Sequence, residues 1–172
     1  PVDDAAVSMS LTKAANILDE TRSHGFPVKA VYCPPEAVTH WTVVSTEVPY
    51  PGYARYLAHA IWGMPWGRSA WYLVIVEQDV DVTNMGQVLW AISTMCHPKR
   101  GIVQVENVPG HPLLPFLSPE ERPKNLAAYA LLDCTWPRDW PKEAVPVKVS
   151  FDNAWPKEIQ ERVLKNWRSY GY

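Results

Sequence analysis

The stretch LVIVEQDVDVTNMGQVLWAISTMCHP, residues 73–98, decides the fold class of this 172-residue chain. Residues 73–76 are apolar without interruption and lead into an acidic turn. A helical pattern follows from Asn84 and stops at His97-Pro98. A continuous apolar run, unlike an alternating one, predicts a strand that is covered on both faces. The stretch therefore predicts a strand, a turn and a helix within an α/β domain.

The other segments predict the rest of a mixed sheet flanked by helices. Strands are predicted at residues 28–33, 39–46, 71–76, 102–105 and 127–134, and helices after Ser10, Pro51, Asn84 and Pro156. The apolar stripe of the first helix is predicted to be Leu11, Ala14, Ala15 and Leu18, and that of the third Val88, Leu89, Ile92 and Met95. The chain is long enough for one core, so we expect a single domain over residues 1–172.

Composition argues against several classes of partner. The formal charge is -2 and no basic run is present, which does not suit a nucleic-acid groove. No apolar run approaches the roughly 18 residues of a membrane span. Three cysteines without a CxxC motif favour reduced thiols and a cytoplasmic location.

The nine tryptophans and seventeen prolines are more than a domain of this size usually carries. Large aromatic rings in proline-rich connections either fill an irregular core or form surface that is buried against another chain. Both interpretations stay open for Trp62, Trp66, Trp71, Trp136, Trp140 and Trp155.

Motifs for metal, nucleotide or nucleophilic chemistry are weak. Residues 79–84 place acidic groups at alternate positions but lack the glycine and the final glutamate of a calcium loop, so we expect a structural turn. The five histidines show no HxH or HExxH spacing, and we expect no metal site. GxSxG, GxGxxG and GxxxxGK[ST] are absent.

His111 differs from the other histidines because it lies between Pro109-Gly110 and Pro112. Prolines restrict the backbone on both sides, so the loop would present the imidazole in a defined direction. A purely structural turn explains the same residues.

Several segments, in order along the chain, resemble the C-terminal portion of the UbiD family of decarboxylases. They are residues 25–28, 33–36, 73–98, 105–109, 130–135 and 166–172. The resemblance implies reversible, non-oxidative decarboxylation of aromatic or α,β-unsaturated acids with prenylated flavin mononucleotide, a divalent metal (Mn or Mg) and K. The flavin takes up the electron pair left by carbon dioxide.

The same resemblance implies a division of labour. The catalytic arginine and glutamates would belong to the preceding flavin-binding part of a full-length enzyme, so this portion alone would be inactive and bind no cofactor. It would complete the pocket and form a homo-oligomer, with its C-terminal helix used in subunit contacts. Some members have a lysine near residues 71–72 that helps to neutralise the cofactor phosphate. This chain departs from that pattern and has only Arg68 close by.

The pocket-lining positions of the family match His111, Pro112 and Leu113. The resemblance implies substrate binding by all three and a catalytic role for His111. A histidine here resembles the members that act on hydroxylated benzoates, where an imidazole would hydrogen-bond a phenol or the carboxylate. Two alternatives remain: an assembly module without an active site, and a small hydrolase with His111 or His97 beside an acid.

Overall fold

The computed structural model of the chain describes residues 3–171, except the side chain of residue 153. The chain divides into two compact units, Pro1–Asp139 and Trp140–Tyr172. Each unit is described by itself, and a single domain over residues 1–172 stays a prediction.

A five-stranded mixed sheet forms the centre of the first unit. The strands are β1 (Val28–Tyr32), β2 (Trp41–Thr46), β3 (Tyr72–Glu77), β4 (Ile102–Pro109) and β5 (Leu126–Cys134). Their order in the sheet is β1-β2-β3-β5-β4. The middle strands β2, β3 and β5 are parallel, and the edge strands β1 and β4 run antiparallel to their neighbours. The predicted α/β fold with a mixed sheet is confirmed.

Helices cover both faces of this sheet. The helices of the first unit are α1 (Asp4–Ser23), α2 (Tyr53–Gly63) and α3 (Met85–Met95). Leu73 and Ile75 of β3 pack in one cluster with α1 and α2, whereas Val74 and Val76 pack in a second cluster with α3. Strand β3 is therefore buried on both faces, as its continuous apolar run predicts.

The predicted inward face of α1 is correct only for Leu18, which packs against the core. The helix begins at Asp4, where Oδ1 of Asp3 accepts the N–H of Ala6 at 2.7 Å, and not at Ser10. Leu11 is 64% exposed. The buried face consists of Ala6, Ser10, Lys13, Ile17 and Thr21. Lys13 is buried here because Nζ reaches the carbonyls of Thr39 and Ser69, and the hydroxyl of Thr21 donates to the carbonyl of Ile17 within the helix. Hydrophobic periodicity does not register such polar residues and so misplaces the buried face.

The start of α3 is confirmed, but part of its predicted face is wrong. Oδ1 of Asn84 accepts the N–H of Gln87 at 3.2 Å, as expected of an N-cap. Val88 and Ala91 are buried, whereas Leu89 is 57% exposed. Leu89 follows Val88 by one residue, about 100° around the helix, and so leaves the narrow stripe that meets the sheet.

The tryptophans divide between core and surface. Trp62 and Trp71 are buried, Trp136 is half-buried, and Trp66, Trp140 and Trp155 are exposed. The three cysteines are free thiols, with Cys33 and Cys134 buried. No helix within residues 3–171 combines the length and the apolar character needed to cross a bilayer.

The second unit contains the short helix α4 (Phe151–Ala154) and α5 (Lys157–Lys165), which follows Pro156 as predicted. The side chain of Gln160 donates to the carbonyls of Asp152 and Trp155 at 3.1 and 2.7 Å and so joins the two helices. Several large apolar side chains of this unit are exposed: Val147, Val149, Phe151, Trp155, Leu164, Trp167 and Tyr170.

Candidate functional site

The candidate site lies where the parallel strands begin. Trp41 of β2 pairs with Tyr72 of β3, and Tyr72 pairs with Ala130 of β5. Strand β4 is antiparallel to β5 and pairs Pro109 with Leu126, so it ends at the same edge. The loop 110–125, which carries His111, is therefore attached to this amino edge of the sheet.

The local backbone fixes how the His111 loop leaves β4. A register shift lies between Val105 and Val108, and Asn107 within it has φ 57°. The N–H of Gly110 then donates to the carbonyl of Asn125 at 2.6 Å. A Cβ at Gly110 would lie only 3.1 Å from that of Ala127, so this close approach favours glycine.

Two buried leucines hold the next part of the loop. Leu114 and Leu117 belong to the core, and the N–H of Leu114 donates to the carbonyl of His111 at 3.0 Å. The turn that carries His111 is thus connected to the core three residues later.

The imidazole of His111 has one nitrogen engaged by the backbone. Nδ1 accepts the N–H of Leu113 at 3.3 Å. In the neutral ring the proton is then on Nε2, which becomes a hydrogen-bond donor. His111, Pro112 and Leu113 are all exposed, and Leu113 is 81% exposed. The structure thus brings the three predicted residues together in one exposed turn.

Phe116 connects the loop to the strand starts. Its ring centroid lies 6.2 Å from that of His40, 6.5 Å from Trp71 and 6.4 Å from Tyr72, all in edge-on geometry. Tyr72 in turn stacks on Trp41 at 5.7 Å. These rings form an aromatic wall at the strand starts, to which the loop of His111 contributes Phe116.

A buried ammonium group contacts the segments that precede β2 and β3. Nζ of Lys13 donates to the carbonyls of Thr39 at 2.5 Å and Ser69 at 2.9 Å. Burial lowers the pKa of Lys13 to about 8, although the neighbouring Cys33 opposes the shift. Burial and then the Lys13 charge lower the pKa of His40, which favours its neutral imidazole.

Sequence reasoning missed Lys13 and His40 as parts of this edge. His40 is recognisable only as the residue before a strand, and Lys13 lies on a helix face that the pattern assigns to solvent. Their partners are 26 and 56 residues away from Lys13, so no local spacing indicates the contact.

The opposite edge of the sheet contains the acidic turn. Oδ1 of Asp81 accepts the N–H and the hydroxyl of Thr83 at 2.9 and 2.7 Å. These bonds and the Asn84 cap are those of a structural turn. Among residues 3–171, no group of three His, Cys, Asp or Glu side chains is arranged to hold a metal ion.

The hydrolase alternative finds no support in the histidine geometry. Nδ1 of His97 accepts the backbone N–H groups of Lys99 and Arg100 at 3.1 and 3.4 Å. Within the described part of the chain, neither His97 nor His111 has a carboxylate as a hydrogen-bond partner.

Known proteins share both the sequence and the fold. The sequence model described as 3-octaprenyl-4-hydroxybenzoate carboxy-lyase C-terminal domain matches residues 6–134. Pyrrole-2-carboxylic acid decarboxylase of Pseudomonas aeruginosa is 28% identical over 92% of this chain and 34% of its own length. Phenolic acid decarboxylase of Sedimentibacter hydroxybenzoicus is 30% identical over 87% of this chain and 30% of its own length.

Solved structures agree with this result. An open form of vanillic acid decarboxylase from Sedimentibacter hydroxybenzoicus superposes with TM-score 0.79 and 25% sequence identity. The aligned region covers 98% of this chain and 35% of the decarboxylase chain. The UbiD-class enzyme HmfF of Pelotomaculum thermopropionicum, solved with FMN, superposes with TM-score 0.65 and 20% sequence identity. The aligned region covers 86% of this chain and 32% of the HmfF chain, and at this identity the likeness shows the fold alone. This chain spans about a third of the length of its curated relatives. The chain belongs to the UbiD family of decarboxylases, in the region of its C-terminal domain.

Proposed function

We propose that this chain is the substrate-recognition and pocket-completing part of a decarboxylase for phenolic, hydroxybenzoate-type carboxylic acids. The observation that carries the proposal is the bond from the N–H of Leu113 to Nδ1 of His111, because it leaves Nε2–H as an oriented donor. A phenol or carboxylate oxygen is a suitable acceptor for such a donor. The relative named phenolic acid decarboxylase supports this substrate class.

In this proposal Pro112 and Leu113 form the apolar side of the acid-binding site. Leu113 is 81% exposed, so its side chain is available to pack against a bound acid. An aromatic ring packs well against it, while His111 contacts the polar substituent. The proposed catalytic role of His111 is limited to a hydrogen bond or a proton exchanged at Nε2.

The cofactor of the proposed enzyme is prenylated FMN with Mn or Mg and K, held by a preceding flavin-binding part. The residues described here do not fit a metal centre, because they contain no cluster of metal ligands. Arg68 is exposed near the amino edge of the sheet, but one exposed arginine does not by itself make a binding site for the cofactor phosphate. We therefore assign no cofactor contact to this chain, and we expect it to be inactive alone.

The proposal includes a homo-oligomer in the cytoplasm. The exposed apolar side chains of α5 and its neighbours support subunit contacts through the C-terminal helix. Three free thiols support a reducing compartment. The alternative function, an assembly module without an active site, rests on the same exposed apolar surface.

Two experiments separate these functions. The encoded full-length protein, loaded with prenylated FMN, is assayed with 4-hydroxybenzoate, vanillate, cinnamate and pyrrole-2-carboxylate. The proposal predicts the highest kcat/KM for a hydroxylated benzoate and no turnover without the flavin. A preference for pyrrole-2-carboxylate or cinnamate would overturn the phenolic assignment. Light scattering of the isolated chain tests self-association, and self-association without any decarboxylase activity in the full-length protein would favour the module.

A further inference from the structure

The amino edge of the sheet contains a lysine that the proposed reaction does not use. Lys13 is only 3% exposed, in the middle of a helix face that packs on the core. A buried ammonium is costly unless its donors are engaged. Here it donates to two main-chain carbonyls, those of Thr39 and Ser69, from two segments that lie far apart in the chain.

The first of these segments is strained. Val38 and Thr39 have φ 47° and 64°, in the left-handed region that β-branched residues rarely adopt. Such backbone persists only where its surroundings fix it. The bond from Lys13 to the carbonyl of Thr39 is a direct constraint on this turn.

The second segment is the short 3-10 turn Gly67–Ser69 before β3. The carbonyl of Arg68, next to Ser69, accepts the hydroxyl of Tyr129 at 3.0 Å. The indole N–H of Trp62 donates to the carbonyl of Ala70 at 3.0 Å. Lys13 therefore connects α1 to a turn that is fixed to the core on its other side.

The strained turn leads directly to the aromatic wall. His40 follows Thr39, its carbonyl accepts the N–H of Tyr72 at 3.1 Å, and its ring packs edge-on against Phe116. Phe116 lies in the same loop as His111. A path of direct contacts thus runs from Lys13 through Thr39 and His40 to Phe116.

We propose that Lys13 is a positioning residue for the candidate pocket, which by holding the Val38–Thr39 turn keeps His40 in place against Phe116 and so fixes the loop of His111. This inference rests on the proposed function, because the loop of His111 lines a substrate site only if that function is correct. The contacts themselves do not depend on the reaction.

The ionisation of Lys13 provides a test in the unmodified protein. Its pKa is about 8, and the titratable groups that interact with it are Cys33 and His40. The pKa of His40 is lowered from 6.5 and that of Cys33 is raised from 9.0. His40 therefore titrates below the pKa of Lys13, and Cys33 titrates above it. We expect the aromatic 13C and 1H resonances of Phe116 and His40 to shift with a midpoint near pH 8, together with the ε-methylene resonance of Lys13.

Two variants and a control complete the test. Lys13→Arg stays charged throughout, so it should keep the Phe116 resonance near its low-pH position and lose the step. Lys13→Met should displace the Phe116 and His111 resonances at every pH. Lys29→Met removes an exposed lysine from β1 and should leave the wild-type titration unchanged.

The proposal is overturned if the Lys13 resonance titrates while those of Phe116 and His40 stay fixed. That measurement needs only the wild-type chain, so it decides the question even if Lys13→Met does not fold. No turnover is involved. If the full-length enzyme kept its activity after His111→Ala, the proposed function would be refuted, but the result of this titration would not change.

Discussion

The guanidinium of Arg138 donates a 2.6 Å hydrogen bond to Oε2 of Glu77, the last residue of β3. Oε1 of the same carboxylate accepts the N–H of Trp136 at 2.8 Å, and Nε of Arg138 donates to the carbonyl of Val48 at 2.8 Å. Arg138 therefore connects the carboxyl end of β3 to the segment after β2, opposite the candidate site.

Replacement of Arg138 by methionine should destabilise the first unit. The Glu77 side chain is only 11% exposed and would keep a single partner, so the free energy of unfolding should fall by about 2 kcal/mol. Urea denaturation measures this change. Arg162→Met, which removes an exposed guanidinium from α5, should stay within about 0.5 kcal/mol of wild type. Equal effects of the two variants would show that the ion pair is not stabilising.

Gly67 should not tolerate a side chain. A Cβ there would lie 1.7 Å from the carbonyl oxygen of Ile61, which is backbone and cannot move aside. Gly67→Ala should reduce the free energy of unfolding by at least about 2 kcal/mol.

The matched control for this substitution is Gly63→Ala at the end of α2, where a Cβ meets nothing within 4 Å. It should be neutral or stabilise the protein by up to about 1 kcal/mol, because alanine favours helix. A thermal shift assay compares the two variants. Similar melting temperatures would contradict the close approach between Gly67 and Ile61.

Stability should depend on pH through Lys13. The unfolded lysine keeps its proton up to about pH 10.5, whereas the folded one releases it near pH 8, so the folded state binds fewer protons between these values. The free energy of unfolding should therefore rise with pH in this window, by up to about 1.4 kcal/mol per pH unit. Below pH 8 the contribution of Lys13 should be constant.

The measurement is the difference in unfolding free energy between wild type and Lys13→Met from pH 7 to pH 10. The Cys33 thiol, whose pKa burial raises and the Lys13 charge lowers, acts in the opposite direction near pH 9 and above, so the slope is compared below pH 9. Parallel curves would mean that the Lys13 ammonium is not buried in solution.

The thiols should react slowly with iodoacetamide at pH 8. Burial raises the pKa of Cys33, Cys96 and Cys134, which reduces the thiolate that alkylates. Cys96 is half-buried and should be labelled first, and denaturant should make all three react at similar rates. Peptide mass spectrometry follows each site. Labelling of Cys33 or Cys134 before Cys96 would contradict the packing described.

Much of the fold follows from the sequence because its strands and caps are local signals. The continuous apolar run of β3 indicates two covered faces, and Asn84 indicates the start of α3. The face of α1 does not follow, since Lys13 is buried by carbonyls 26 and 56 residues away. His111 is recognisable because prolines surround it, whereas the contact between His40 and Phe116 depends on which strands are neighbours.

The central claim is that His111 recognises the substrate of a decarboxylase. The most direct measurement is kcat/KM for 4-hydroxybenzoate in the full-length enzyme with His111→Ala or His97→Ala. His97 is a matched control because it is also exposed and its Nδ1 also accepts a backbone N–H, that of Lys99. It follows α3 and lies outside the candidate site. Loss of one hydrogen bond to the substrate predicts a decrease of about 10- to 100-fold for His111→Ala and less than about 2-fold for His97→Ala. An unchanged kcat/KM in His111→Ala would contradict the claim.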